Sequence, residues 1–275
     1  MWAEPTAGEA VIRIALANDQ VTDLSARQPG RIVLATGGYR SGSTLQYNLV
    51  GEYLEQVGSG CRAGYLDGDA AATLLPIWSL VDHVGLAVVK THYAVTGTAA
   101  GAVTSWLDLV ADGRAVPLMS VRDWRDVAAS MCRKFGIDIR APGASVLWQD
   151  NLREVEAWLA AGALVQRYDD LTADPVGAMA AVASHLGLTW DDAAAERAAR
   201  AVAVPRALAV QEALATGTYH PRLLLHHDHV ATPDGGAWRR WPRRDRRALE
   251  RLVAPLVERH GGSWEAPPRW AARAS

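Results

Sequence analysis

The residues best suited to chemistry lie in a glycine- and hydroxyl-rich segment, residues 37–44, with the sequence Gly-Gly-Tyr-Arg-Ser-Gly-Ser-Thr. Glycines let backbone N–H groups turn toward an anion, and a helix that begins there adds unpaired amides and the positive end of its dipole. Ser41, Ser43 and Thr44 add hydroxyl donors, and Arg40 adds a full positive charge. The segment therefore predicts an anion-binding loop, and an ordinary strand–helix turn is the alternative.

A second anion site is predicted from the spacing of an arginine and a serine. Arg122 follows the apolar run at 117–121, and Ser130 lies eight residues further on. An arginine at the carboxyl end of a parallel strand lies where α/β folds bind ligands, and eight residues are about two helical turns. We expect both side chains to converge on an anion away from the glycine loop. The alternative is a helix N-terminus with surface salt bridges, in which Arg122 and Ser130 bind no ligand.

A lysine and a histidine share a third segment, Val-Val-Lys-Thr-His at residues 88–92. Residues two apart on a strand point to the same side, so Lys90 and His92 should face one space. Lys90 is one of only two lysines in the chain. The pairing predicts a general base beside a cation, and the plainer alternative is a buried histidine bonded to backbone. Asp67 or Asp69 could instead serve as an acidic base.

Metal chemistry is not predicted. The run His-His-Asp-His at 226–229 contains common metal ligands, but adjacent ligands rarely share one tetrahedral geometry. We expect this run to form a loop near the substrate. The only two cysteines, Cys61 and Cys132, exclude a disulfide framework and a cysteine-rich zinc site.

Strands and helices alternate around these residues. Short, continuous apolar runs predict strands at 31–36, 86–91, 116–121 and 164–168. Helical spacing predicts helices at 44–57, 99–111, 123–134, 143–160, 174–186 and 244–259, the last kinked or ended early by Pro255. This alternation predicts an α/β fold, a three-layer parallel sheet with helices on both faces. We expect an N-terminal extension over 1–29 and a single domain over 30–265.

Length and composition limit the classes of protein. The chain has 275 residues, of which 49% are hydrophobic and 21% charged, enough for one sizeable core. Its net charge of −2 argues against general nucleic-acid binding. The sequence contains no run of about 18 apolar residues and begins with an acidic segment, so neither a membrane span nor a secretory signal is expected. We expect a cytoplasmic protein of unassigned oligomeric state.

The motifs together resemble the sulfotransferases that use 3′-phosphoadenosine 5′-phosphosulfate (PAPS). Residues 40–44, Arg-Ser-Gly-Ser-Thr, resemble that family's 5′-phosphosulfate loop, roughly Pro-Lys/Arg-Ser-Gly-Thr/Ser-Thr. The segments at 122–130, 90–92, 168–171 and 236–239 resemble its 3′-phosphate motif, its Lys-Thr-His segment, its Tyr-Glu-Asp-Leu segment and its Gly-x-Trp-Lys/Arg segment. The chain departs from the family where Gly38-Tyr39 replaces the usual proline and where Leu45 replaces a common aromatic residue.

This resemblance implies a P-loop-like sulfotransferase fold and an enzyme that transfers the sulfuryl group of PAPS to a hydroxyl of a sugar, an alcohol or a phenol, without a metal. It implies that His92 is the catalytic base. Arg40 and Lys90 would neutralise charge as adenosine 3′,5′-bisphosphate (PAP) leaves. The residues that it implies for PAPS binding are Gly38, Arg40, Ser41, Gly42, Ser43, Thr44, Arg122, Ser130, Tyr168, Gly236, Trp238 and Arg239.

Two other functions stay open on the sequence alone. One is a P-loop kinase or triphosphatase that uses ATP and Mg²⁺, although Ser43 stands where that loop has its phosphate-binding lysine. The other is a non-catalytic P-loop-fold protein that only binds a partner. The acceptor is not identified by the sequence. Its pocket is expected in loops around 60–85, 93–100, 136–148 and 205–230.

Overall fold

The computed structural model describes residues 30–66, 71–94, 105–227 and 236–260. The expected N-terminal extension at 1–29 lies outside these residues, as do Asp67, Asp69, Asp228 and His229. No helix within the described ranges has the length and apolar character that a membrane crossing requires.

A parallel sheet occupies the centre of the described part of the chain. Its strands are β1 Arg31–Gly37, β2 Gly60–Tyr65, β3 Leu86–Lys90, β4 Ala115–Val121 and β5 Leu164–Arg167. They lie in the order β2-β3-β1-β4-β5, with β1 hydrogen-bonded to β3 on one side and to β4 on the other. The chain therefore crosses from one side of β1 to the other between β3 and β4. In an open α/β sheet such a point marks the crevice that binds ligands.

Helices connect the strands and continue beyond the sheet. They are α1 Ser43–Gln56, α2 Ala71–Val84, α3 Trp106–Ala111, α4 Trp124–Phe135, α5 Pro142–Ala160, α6 Tyr168–Ala173, α7 Pro175–Leu186, α8 Asp192–Val202, α9 Val204–Ala213 and α10 Arg243–His260. A short antiparallel hairpin, β6 Tyr219–His220 and β7 Leu225–His226, follows α9. A 3-10 helix, Ala237–Arg240, precedes α10.

Successive side chains of β1 are buried alternately in two separate cores, one on each face of the sheet. Ile32 and Leu34 belong to a core that α4 and α5 help to form. Val33 and Ala35 belong to a second core, formed with α1, α7 and α8. Because both faces of the strand are covered, its sequence is continuously apolar rather than alternating. The prediction of a three-layer α/β fold is confirmed.

The four predicted strands are confirmed, and other elements differ from expectation. Strand β2, helix α2 and the β6–β7 hairpin were not predicted, and α2 occupies much of the stretch expected to be an acceptor loop at 60–85. Of the two outcomes predicted for Pro255, a kink or an early end, the early end is wrong, because α10 runs past Pro255 to His260. Of the helix predicted at 99–111, the described residues show Trp106–Ala111.

Candidate functional site

A cleft of about 360 Å³ opens where the strands end, beside the glycine-rich loop. Its wall comes from the loop after β1, the segment after β3, helix α4 and the start of α6. The predicted site residues that line it are Arg40, Gly42, Ser43, Thr44, Lys90, His92, Arg122, Ser130 and Tyr168. The fold thus brings together residues that lie far apart in the sequence, and their chemical roles stay predictions.

The glycine-rich loop has a backbone shape that its glycines permit. Gly42 has φ 106°, and a Cβ atom there would lie 2.6 Å from Cδ2 of Tyr168. Ser43 and Thr44 begin α1 and line the cleft, so the unpaired amides at the start of this helix lie at the cleft wall. The Ser41 hydroxyl is buried and lies 2.8 Å from Oγ of Ser120 in β4. Ser41 therefore fixes the loop to the sheet, and neither it nor Gly38 lines the cleft.

Two arginines contact one serine at the next part of the cleft. Arg40 has φ 66°, and its Nε donates to Oγ of Ser130 at 2.9 Å. Nη2 of Arg133 lies 3.5 Å from the same oxygen. Burial lowers the pKa of Arg40, and the positive charges of Arg133 and Arg122 lower it further. Mutually repelling cations of this kind favour a bound anion.

Ser130 lies beside the glycine-rich loop. We expected Arg122 and Ser130 to form an anion site away from the glycine loop, but Ser130 bonds directly to Arg40 of that loop. The part that Arg122 and Ser130 play in binding an anion stays a prediction. Arg122 lies instead over the Tyr168 ring, with its Cζ 4.4 Å from the ring centre. This distance suits a cation–π interaction, which holds the guanidinium beside the cleft.

Lys90 and His92 face the same space, as their spacing predicts. Nζ of Lys90 lies 3.0 Å from Nε2 of His92, and Nδ1 of His92 lies 2.9 Å from the Gly37 carbonyl oxygen. A carbonyl can only accept and an ammonium can only donate, so Nδ1 carries the hydrogen and Nε2 carries the lone pair. Burial lowers the pKa of His92 well below its ordinary value, and the charge of Lys90 lowers it further. The histidine is neutral at pH 7.

Aromatic rings surround the His92 imidazole. The ring of Tyr39 lies 4.4 Å from it, centre to centre, and the ring of Tyr65 lies 6.0 Å from it. The Tyr39 hydroxyl lies 2.6 Å from that of Tyr93, and its ring meets Phe135 edge-on at 6.0 Å. These rings keep the imidazole in surroundings of low polarity, which accounts for the cost of charging it.

Residues 236–239, which resemble the Gly-x-Trp-Lys/Arg segment, reach the cleft lining through Ala237. Gly236 has φ 82° and donates its N–H to Oδ1 of Asp126 at 2.7 Å. Trp238 is buried, and Cζ of Arg125 lies 4.8 Å from its ring centre. Arg239 is exposed and, like Gly236 and Trp238, does not line the cleft. Their contact with a nucleotide stays a prediction.

Apolar side chains form one wall of the cleft. It is formed by α8, α9 and the β6–β7 hairpin, and its residues are Ala201, Val202, Val204, Ala207, Val210, Leu223, Leu224 and Leu225. Leu45 lies in the same cleft lining, on α1. His226 of the predicted loop also lines the cleft, with Nδ1 3.5 Å from Nζ of Lys134. Part of the 205–230 stretch thus lines the cleft, and its contact with an acceptor stays a prediction.

Sequence reasoning did not single out several residues of the cleft. Arg133 lies one turn after Ser130 on α4, so helical spacing from the predicted serine would have placed it on the same face. Asn48 lies one turn after Thr44 and could have been found in the same way. Tyr39 and Phe135 carried no such signal, because nothing in their local sequence shows that their rings meet each other at the cleft.

Solved structures share this fold. Two crystal structures of retinol dehydratase, one in complex with androsterone and inactive cofactor PAP and one with retinol and PAP, superpose on the chain with TM-scores of 0.52 and 0.51. They are 14% and 16% identical to it; the matches cover 91% and 90% of this chain and 86% of each of those chains. The chain has the P-loop-like sulfotransferase fold.

Similarity at the level of sequence is much weaker. No family model and no curated protein matches the chain. Mouse sulfotransferase SULT7A1 complexed with PAP is 14% identical, with a TM-score of 0.49, over 86% of this chain and 88% of that chain. The P-loop-like sulfotransferase fold is therefore recognised here from the course of the backbone.

Proposed function

We propose that the protein is a PAPS-dependent sulfotransferase that transfers a sulfuryl group to a hydroxyl acceptor. One observation carries this proposal. A neutral His92, whose Nε2 holds the lone pair and accepts from Lys90, lines the same cleft as the anion-binding loop and its arginines. A base for a hydroxyl and a site for a polyanionic nucleotide thus lie side by side. The fold supports the proposal further, since retinol dehydratase was crystallised with PAP.

The side chains of the cleft fit the groups of PAPS. The amides and hydroxyls at the start of α1, together with Arg40, provide donors for the 5′-phosphosulfate. Arg122 and Arg133 provide positive charge for the 3′-phosphate, and Tyr168 provides an aromatic face for the adenosine. PAPS supplies an activated sulfuryl group when it is bound.

His92 provides the base in this proposal. Nε2 accepts the proton of the acceptor hydroxyl, while the bond from Nδ1 to the Gly37 carbonyl fixes the ring and its tautomer. Lys90 donates to Nε2 in the structure, so the hydroxyl must take the place of this ammonium group. Lys90 and Arg40 both line the cleft, and in this proposal both cations stabilise negative charge at the loop.

The proposed function is tested with purified protein and PAPS labelled with radioactive sulfur, against a panel of phenols, alcohols and sugars. We expect transfer to at least one acceptor class. His92→Ala should lose most of the turnover and keep its affinity for PAP, because the base does not contact the 3′-phosphate.

Two results would contradict this assignment. Unchanged turnover in His92→Ala would exclude His92 as the base and favour Asp67 or Asp69. Absence of both PAP binding and transfer, combined with ATP hydrolysis, would instead support the triphosphatase alternative. Arg122→Ala provides the complementary variant, which should weaken binding of nucleotides with a 3′-phosphate and spare those without one.

A further inference from the structure

One face of helix α5 contacts both loops that the proposed reaction needs. Asn151, Glu154 and Trp158 are three and four residues apart, so they lie along one side of the helix. Asn151 and Trp158 are buried, and Glu154 is half-buried. Each side chain makes a hydrogen bond to backbone outside its own helix.

Asn151 holds the glycine-rich loop. Its Oδ1 accepts the backbone N–H of Tyr39 at 2.6 Å, directly before Arg40. The loop also fits closely against this helix, because a Cβ atom on Gly38 would lie 2.8 Å from the same oxygen and 3.1 Å from Cγ2 of Val155. The first part of the loop is therefore set by α5 rather than by the sheet.

Glu154 and Trp158 hold the segment that carries the base. Nε1 of Trp158 donates to the His92 carbonyl oxygen at 3.4 Å, and Oε2 of Glu154 accepts the N–H of Ala94 at 2.6 Å. Strand β3 ends at Lys90, so residues 92–94 have left the sheet. Backbone beyond a strand needs other partners to stay in place, and α5 provides two of them.

We propose that Asn151, Glu154 and Trp158 are positioning residues that set the distance between the anion-binding loop and His92. This inference rests on the proposed sulfuryl transfer. Asn151 acts through the Tyr39 amide on the nucleotide site, whereas Glu154 and Trp158 act through the backbone of 92–94 on the base. Displacement of a reacting group by about 1 Å can cost on the order of a hundredfold in rate.

The two ends of this helix face give different kinetic signatures. Glu154→Ala should lower kcat by about ten- to a hundredfold while the Kd for PAP stays unchanged. Glu154→Gln keeps an oxygen that accepts from Ala94 and should restore most of kcat. Asn151→Ala should raise the Kd for PAP, because the loop itself loses a partner. Glu156→Ala is the matched control, since Glu156 lies on the exposed side of α5 and pairs with Arg259.

Amide hydrogen exchange tests the contact without any activity. In Glu154→Ala the Ala94 amide should exchange about tenfold faster than in the wild type, and Glu154→Gln and Glu156→Ala should not differ from it. If the wild type neither binds PAP nor transfers sulfuryl groups, the proposed function fails, and the exchange result still decides whether α5 holds the segment. Unchanged exchange and turnover in Glu154→Ala would overturn the inference. Equal losses of kcat in Glu154→Ala and Glu154→Gln, or parallel losses of kcat and PAP affinity in Glu154→Ala, would also overturn it.

Discussion

The His92 imidazole lies between a carbonyl that can only accept a hydrogen bond and an ammonium group that can only donate one. Both partners favour the neutral tautomer with its hydrogen on Nδ1, and burial makes protonation of the ring unfavourable. A histidine with an ordinary pKa would be partly protonated just below pH 7. Because its pKa is lowered, His92 keeps its lone pair at more acidic pH, which is the state that a general base requires.

Removal of the Lys90 ammonium group should change the pKa of His92. In the wild-type protein, the acidic limb of the kcat/KM profile should lie below pH 6.5, because the pKa of His92 is lowered below its ordinary value. Lys90→Met removes a positive charge beside the ring, so the pKa of His92 should rise and the acidic limb should move to higher pH. Activity profiles between pH 4.5 and 8 on any accepted hydroxyl compound would measure this, with those limits set roughly to bracket an ordinary histidine.

The second lysine of the chain provides the control. Lys134 also lines the cleft but contacts His226 rather than His92, so Lys134→Met should leave the acidic limb where it is. An acidic limb that stays in place in Lys90→Met, or that moves equally in both variants, would show that another group titrates.

At the residue scale, the sequence alone predicts those contacts that follow from the spacing of residues along one strand. Lys90 and His92 are two apart on one strand, so their common direction follows from local geometry alone. The contact of Arg40 with Ser130 joins residues 90 positions apart, and it depends on how α4 lies against the loop. No local pattern contains that information, which is why Ser130 was expected in a separate site.

At the scale of elements, a charged cluster joins α1, β2 and the hairpin segment. Arg62 of β2 is almost fully buried, and its guanidinium donates to Glu52, Glu55 and Asn48 of α1. Arg222 donates to Glu55 from the β6–β7 turn. Burial alone would raise the pKa of Glu55, but the hydrogen bonds and charges of the two arginines bring it below its ordinary value. This contribution to stability is therefore present at neutral pH and is lost as the pH falls.

Truncation of the buried arginine should be costly. Arg62→Ala leaves two partly buried carboxylates without their main partner, and we expect a loss of roughly 3 kcal/mol in the free energy of unfolding. Denaturant unfolding at pH 7 would measure it. Arg200→Ala removes an exposed pair with Glu196 on α8 and should cost under about 0.5 kcal/mol. Similar losses in the two variants would mean that the buried cluster does not stabilise the fold.

The same cluster shows why some elements could be predicted and others could not. Strands β1, β3 and β4 lie inside the sheet and are buried almost throughout, so their sequences carry continuous apolar runs. Strand β2 has the sequence Gly-Cys-Arg-Ala-Gly-Tyr and lies at the sheet edge. Its buried Arg62 is acceptable only because α1 supplies carboxylates from another element. A local pattern cannot show such a partner.

At the scale of the whole molecule, the strand order brings the residues of the candidate site together. The loop after β1 lies between the ends of β3 and β4, so segments near residues 40, 92 and 122 meet although they are far apart in the chain. The chain carries a net charge of −2, yet the described cleft is lined by Arg40, Lys90, Arg122, Arg133, Lys134 and Arg206 against the single carboxylate of Asp126. Positive charge is thus concentrated where the fold binds ligands, and a ligand with several negative charges is favoured.

Ligand binding to this cleft should stabilise the whole fold. A ligand present at a hundred times its Kd adds about 2.7 kcal/mol to the free energy of unfolding, which corresponds to roughly 5 to 10 °C in Tm for a chain of this size. We expect PAP to give such a shift without added metal, and ATP with Mg²⁺ to give little. Adenosine 5′-monophosphate, which lacks the 3′-phosphate, should give a smaller shift than PAP. In Arg122→Ala this difference should largely disappear, because the cation assigned to the 3′-phosphate is gone. A shift with ATP and Mg²⁺ as large as that with PAP would contradict the assignment of the cleft and favour a P-loop kinase or triphosphatase.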